Sequence, residues 1–333
     1  MSEDRSSTGD APLVVEVHHP RTPDGWTLHL KRTFSPEHLD PAGRPVLIVP
    51  GYGMNSFIFG FHPRGTSMER CLAEAGLEVW SANLRGQGRS APTGWRAPPP
   101  SLRSYSELDV HATVEHVLCA TRTVADRVDL VGASLGGSIA YAHLALRGDH
   151  RVAGLVAIGA PLRWTEVPAV LRLPFRSARL AGMVRVSGVR RMARLALPVV
   201  GRVPSLLSMY LNADHIDLKA VPEMVQTIED PHPRVNRDIA HWIGARDMVL
   251  RGVNVTEALG AVELPLLVMF ASRDGIVPES AARAATEAWG GTDVQTLCVG
   301  AGDDWYAHAD LFVGHDAPRL VFEPIVRWLR DRW

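Results

Sequence analysis

Ser134 stands where a serine can become a nucleophile. Residues 131–137 read Val-Gly-Ala-Ser-Leu-Gly-Gly, and the pentapeptide of Gly132, Ser134 and Gly136 carries little information by itself. Its context carries more. An apolar run from Arg127 to Val131 leads in, and a helical pattern from Ser138 to Leu146 leads out. A strand running into the motif and a helix running out of it is the geometry of a nucleophile elbow. The serine is then forced into a strained backbone conformation, and glycines two residues to either side leave room for the turn. The competing reading is an ordinary glycine-rich turn between a strand and a helix.

Composition limits the setting of that chemistry. A chain of 333 residues with 46% hydrophobic content suits one α/β domain carrying an insertion. The formal net charge of −1 gives no global pull toward nucleic acid or anionic membrane. Cys71, Cys119 and Cys298 are odd in number, widely spaced and flanked by apolar residues. They read as buried free thiols in a reducing compartment, with neither a disulfide framework nor a metal site. The stretch from Met1 to Asp10 is polar and acidic, without a signal-peptide pattern, and no apolar run reaches membrane-spanning length. A cytoplasmic location is the expectation.

Periodicity supplies the elements that position Ser134. Val14 to His18 and Thr27 to Thr33 alternate like an antiparallel pair around the turn Pro23-Asp-Gly25. Pro45 to Val49 is continuously apolar, as a strand buried on both faces should be. The pattern continues with a helix at 66–75, a strand at 77–82, a long helix at 105–124, the strand into Ser134, its helix, and a strand at 152–158. It breaks from Pro161 to about Val255 into proline-interrupted helical pieces with no clear buried strand. It resumes with a strand at 265–271, a helix at 279–289, a strand at 294–299 and a closing helix at 317–330. Repeated βα units require a mostly parallel sheet. The expected fold is α/β, with eight strands, helices on both faces and an excursion after the sixth strand. Its parts are a first core section at 1–160, a helical cap at 161–255 and a second core section at 256–333.

The chain here resembles the α/β-hydrolase fold family from Val14 to the C-terminus. The segments 80–86, the elbow and 308–314 are most similar to the acid-lipase and related esterase branch. The resemblance implies a serine nucleophile, an acid after strand seven and a histidine after strand eight, in that order. Asp274 sits just past the strand at 264–271, where an open α/β sheet places its ligand-facing loops. A carboxylate there can accept from an imidazole N–H, fix the tautomer and stabilise the imidazolium. It can equally be a turn residue before Pro278. Two histidines follow the last strand. His308 matches the family's His-x-Asp-Leu pattern and precedes Asp310, which could cap or charge the start of a helix. His315, seven residues on, reads as a surface residue near the last helix. We expect His308 to be the base. A metal site built of His308, Asp310 and His315 is disfavoured, because the spacing forms no compact ligand pair on one helical face.

An oxyanion hole needs two backbone N–H donors, each worth about 3 kcal/mol in the barrier. One is expected from Leu135, the residue after the nucleophile. The resemblance implies a second from the loop Pro50-Gly-Tyr-Gly53, where Tyr52 matches the donor position. Related enzymes usually carry His-Gly there, and Pro50 replaces the histidine, so a side-chain brace for that loop is missing. The segment Asn83 to Ser90 resembles the family's Arg-Gly-x-Gly-x-Ser loop and is expected to shape the pocket floor through Arg85. Its Gly-Gln-Gly is too weak for a nucleotide site, and no cofactor motif follows any strand.

Between Arg163 and Arg202 the excursion is rich in arginine, with Glu166 as the one acid. Arg172, Arg176, Arg179, Arg190, Arg191 and Arg194 fall among apolar residues. One reading is a lid that meets a lipid surface or an anionic acyl substrate. The favoured reading is a cap whose arginines are solvated or paired with Asp214, Asp217, Glu223, Glu229 and Asp230. The expected function is cleavage of a carboxylic ester by Ser134, His308 and Asp274. Acyl transfer or thioester hydrolysis by the same triad remains open, as does a non-catalytic binding protein on this scaffold. The expected partner is a small, partly apolar ester, with no nucleic acid and no integral membrane segment.

Overall fold

The computed structural model of the protein describes residues 12–183, 185, 187–200 and 208–333. The acidic stretch at 1–10 and Arg202 lie outside the described residues. The principal strands are β1 (Val14–His18), β2 (His29–Phe34), β3 (Val46–Val49), β4 (Val79–Asn83), β5 (Val128–Ala133), β6 (Val152–Ile158), β7 (Leu266–Ala271), β8 (Val294–Ala301) and the two-residue β9 (Asp304–Trp305). They form one sheet in the order β1-β2-β4-β3-β5-β6-β7-β8-β9. The pairs β1–β2, β2–β4 and β8–β9 are antiparallel and the other five are parallel. The eight expected strands are all present, and β9 extends the far edge.

The central strands are apolar at every position because both faces are covered. Val46 and Ile48 of β3 enter one core with Val131 and Ile158, while Leu47 and Val49 enter the opposite core with Leu130 and Leu155. Helices α1 (Met68–Glu74) and α7 (Glu323–Arg330) cover the first face. Helices α2 (Val110–Ala120), α3 (Leu135–Leu146) and α6 (Glu279–Ala288) cover the second. Between β6 and β7 run several short helical turns, α4 (Val189–Val200) and α5 (Pro233–Ala245). The only strands described in this excursion are the two-residue pair Val249–Leu250 and Val253–Asn254.

Three expectations need correction. The strand expected at 27–33 splits at Leu28, whose side chain is fully buried and whose N–H donates to Pro20 O. Trp26–Thr27 then pairs with Ala91–Pro92, leaving His29–Phe34 to the main sheet. The helix expected at 105–124 starts earlier, at a capping box on Ser101, passes through a π-helical turn at Tyr105–Asp109 and stops at Ala120. It stops there because the Thr121 hydroxyl and the Arg122 N–H both bond Glu78. The three thiols are free, but Cys119 and Cys298 are exposed and Cys71 half-buried. Cys298 lies on β8, whose outer neighbour β9 is too short to cover it.

The π-helical turn is anchored by a titratable group. His143 of α3 is completely buried, and its Nδ1 donates to Ser106 O at 2.8 Å. Burial holds its pKa down at about 4, against an ordinary 6.5. Between those values the unfolded chain takes up a proton that the folded chain refuses, so stability falls as pH drops through this window. The expected loss is about 3 kcal/mol. His143→Asn keeps a donor toward Ser106 and removes the titration. Urea unfolding at pH 7 and pH 4.5 should show a smaller acid-induced loss in the variant than in the wild type. Equal losses would show that His143 is not the acid-sensitive group.

Candidate active site

Ser134 occupies the bend between β5 and α3 with φ 53° and ψ −124°, a conformation that costs a non-glycine residue on the order of 1–3 kcal/mol. Its N–H donates to Ile158 O at 2.7 Å, which pins the bend to the end of β6. The flanking glycines are a packing requirement. A Cβ at Gly132 would lie 2.4 Å from Gly137 Cα, and one at Gly136 would lie 2.1 Å from Val49 O. The turn is therefore a strained elbow with a side-chain oxygen at the carboxyl edge of the sheet.

Asp274 follows β7 and His308 follows β9, and both reach the same edge. Asp274 Oδ1 accepts from Ile276 N and Val277 N, both at 2.8 Å, so it is the turn residue that its sequence context suggests. Its Oδ2 is left for His308 Nδ1, 2.6 Å away. With that nitrogen donating, His308 Nε2 accepts from the Ser134 hydroxyl at 2.9 Å. Both side chains of this hydrogen-bonded pair are almost fully buried, at 7% and 1% exposure. A buried carboxylate with two N–H donors stays fixed, and the imidazole it orients lies beside Gly159. That glycine has φ +56°, and a Cβ on it would meet His308 Cε1 at 3.1 Å.

The loop 50–53 lies against the elbow, since a Cβ on Gly51 would fall 2.9 Å from Ser134 Cβ. The Leu135 N–H opens α3, and neither it nor the Tyr52 N–H donates to another described residue. This loop is held by residues of the excursion. Glu229 N donates to Gly53 O at 2.8 Å, and the Tyr52 hydroxyl donates to Asn236 Oδ1 on α5 at 2.7 Å. Burial pushes the Tyr52 phenol up to about 12, so it remains a donor. Asn55 Nδ2 donates to Glu229 Oε1 at 2.5 Å, closing the brace.

The family model described as "Serine aminopeptidase, S33" matches residues 46–301. The chain belongs to this α/β-hydrolase family. A curated relative, the putative carbamate hydrolase RutD of Variovorax paradoxus (strain S110), is 30% identical over 212 residues, which is 62% of this chain and 67% of the relative. Among solved structures, the esterase RhEst1 from Rhodococcus sp. ECU1013 superposes with TM-score 0.60 at 21% identity, covering 95% of this chain and 99% of that one. The esterase EaEST from Exiguobacterium antarcticum gives 0.63 at 16% identity, covering 95% and 100%. At such identities the two esterases speak for the fold alone.

Other residues of the hydrolase depart from expectation. Arg85 does not line the pocket. Gly86 and Gln87 border a small cavity beside Tyr52 and Leu135, while Arg85 is wholly buried behind them. It forms ion pairs with Asp109 and Asp24, each at 2.6 Å, and so locks the loop in place. His315 is half-buried rather than on the surface, and its N–H donates to His215 O. Asp310 does not cap the short helix Asp310–Val313 but accepts from Ala307 N and Asn212 N. Of the six arginines singled out in the excursion, all are exposed, and Arg190 is the one for which an ion pair is described, with Glu229 at 3.1 Å. Asp217 pairs with Arg64 instead, and Asp230 accepts from Gly188 N and Val189 N at the start of α4. The arginines are thus solvated, which is one of the two outcomes the favoured reading allows, and pairing is described for Arg190.

Sequence reasoning missed Glu229, Asn236, Gly159 and Asp310 as parts of the site. The first two lie in the excursion, which has no motif, and each reaches its partner across more than 170 residues. Among the described residues no group of three or more His, Cys, Asp or Glu is arranged to hold a metal, and no helix is long and apolar enough to cross a membrane.

Proposed function

We propose that the hydrolase cleaves carboxylic esters through an acyl-enzyme. Ser134 attacks the carbonyl while His308 takes its proton, and His308 then protonates the leaving alcohol. Asp274 orients the imidazole, and the amides of Tyr52 and Leu135 receive the oxyanion. Water returned through His308 resolves the acyl-enzyme. The observation that carries this reading is the unbroken hydrogen-bond chain from Ser134 Oγ through His308 to Asp274. In this proposal residues 161–255 act as a cap that selects the substrate, with 1–160 and 256–333 as the core. Three free cysteines agree with action in a reducing cytoplasm. A p-nitrophenyl ester series from acetate to palmitate tests the reading, with a carbamate ester included because the named relative is a carbamate hydrolase. Saturable turnover with one chain-length optimum is expected. Absence of turnover together with absence of labelling by a serine-directed phosphonate would overturn it.

A lipid surface is the second element of this reading, and a specific observation favours it. Leu173, Met183, Met192 and Leu195 are 74%, 67%, 58% and 76% exposed, and they stand among the solvated arginines 176, 179, 191 and 194. On α4, Met192 and Leu195 are three residues apart and so share a face. Apolar side chains edged by cations suit the boundary of an anionic bilayer. Co-sedimentation with phosphatidylcholine vesicles containing phosphatidylglycerol should exceed that with phosphatidylcholine alone and fall at high salt. Replacing Met192 and Leu195 by Asp should reduce it at least several-fold. Pelleting that ignores both lipid charge and these substitutions would remove the lipid surface from the proposal.

A further inference from the structure

We propose that Asp310 is a positioning residue for His308, and that it acts by clamping one segment of the excursion, residues 209–212, onto the two loops that carry Asp274 and His308. The inference rests on the reading of Ser134, His308 and Asp274 as a triad. Asp310 is a fully buried carboxylate that the mechanism above does not use. Both of its oxygens bond main chain. Oδ2 accepts from Ala307 N at 2.8 Å and from Asn212 N at 2.9 Å, and Oδ1 accepts from Asn212 N at 3.1 Å. Ala307 immediately precedes His308, so the first bond sets where the histidine leaves the chain. Asn212 belongs to the excursion, so the second bond imports a segment from outside the core.

That segment is tied down at three further points. Met209 O accepts from Gly275 N at 3.0 Å, next to Asp274, and Tyr210 O accepts from Ala309 N at 2.8 Å, next to His308. Asn212 Nδ2 donates to Trp305 O at 3.0 Å on β9. The ring of Tyr210 lies 6.1 Å from the imidazole, centre to centre. Gly159 leaves room for the imidazole, which a Cβ at that position would crowd. Burying an isolated carboxylate is costly unless N–H donors compensate it, and Asp310 recovers that cost only while Asn212 and Ala307 both face it. The clamp therefore closes cooperatively: releasing the 209–212 segment leaves a buried carboxylate one donor short and slackens the His308 loop. Burial already pushes the Asp310 carboxyl up to about 6, in keeping with a group that depends on those donors.

The test compares Asp310→Ala, Asp310→Asn and Asn212→Ala with the wild type. The readouts are kcat per phosphonate-titrated site, KM, melting temperature and the proton resonance of the His308 Nδ1–H. Misplacing a reacting group by about an ångström costs about 10²-fold in rate, so Asp310→Ala should lose about that much in kcat with KM nearly unchanged. Its His308 proton should exchange faster with solvent. Asp310→Asn should recover to within about 5-fold of wild type, because a single amide oxygen can accept from both Ala307 and Asn212. A folded Asp310→Ala enzyme with wild-type kcat and resonance would overturn the proposal. So would an Asn variant as impaired as the Ala variant, which would assign the effect to charge. Should Asp310→Ala not fold, Asn212→Ala decides. It removes the Nδ2–Trp305 O tie of the 209–212 segment and leaves Asp310 in place, and faster exchange at His308 is expected, with unchanged exchange overturning the clamp. If the wild type turns over no ester and captures no phosphonate, the triad reading fails, while the resonance comparison still decides the clamp.

Discussion

Ser134→Ala is expected to lower kcat for any ester the enzyme cleaves by about 10⁴-fold or more, to the residual level supplied by binding and the oxyanion donors. The size follows from the site's construction. Among the described residues, Ser134 supplies the one hydroxyl bonded to His308 Nε2, at 2.9 Å, and its backbone is already strained into the orientation that presents it. Alanine accepts the same bend with no more difficulty, so KM and melting temperature should change little. The check is kinetics on the preferred p-nitrophenyl ester, with mass spectrometry of the phosphonate adduct. The adduct should form on the peptide containing Ser134 in the wild type and be absent from the variant. Activity surviving in Ser134→Ala would move the nucleophile elsewhere and sink the proposed mechanism.

What could be read from the chain alone depended on how local each feature is. The strand at Val152–Ile158 and the helix at Glu279–Ala288 are visible because apolar period and turn residues are properties of adjacent positions. Ser134 is legible from its motif between a strand and a helix, Asp274 from its place after a strand, and His308 from its place after the last strand together with the His-x-Asp-Leu resemblance, and the parallel sheet brings those strand ends to one edge. The supports of the site are different. Arg85 finds its carboxylates 24 and 61 residues away, and Asp310 finds Asn212 at a separation of 98. Such pairings leave no periodic trace. Arg85 consequently reads as a pocket residue and Asp310 as a residue that caps or charges a helix start; Asp310 does stand in the first turn of its helix, but both are also buried braces. The arginines of the excursion make the same point in reverse. A net charge of −1 invites internal pairing, but charge balance over a chain says nothing about which carboxylates lie within reach.

Asp274→Asn is the sharper test of the proposed catalytic chain, because it exchanges one oxygen for an NH₂ group and leaves the shape intact. Two N–H groups, of Ile276 and Val277, already claim Oδ1 at 2.8 Å. In the variant the amide oxygen must stay with those donors, and the NH₂ group is driven toward His308 Nδ1. Two donors cannot face each other, so the imidazole adopts the tautomer with its proton on Nε2. That nitrogen then points an N–H at Ser134 Oγ and cannot take the serine proton. A serine–histidine–carboxylate relay held in the wrong tautomer loses about 10⁴-fold in kcat, and a loss of that order is expected at neutral pH. Phosphonate capture should slow in parallel, since it needs the same base, while substrate binding is retained. Nitrogen NMR of labelled histidine would show the exchanged tautomer directly. A loss below about 10-fold would show that Asp274 serves only its turn and that the tautomer of His308 is fixed by some other group.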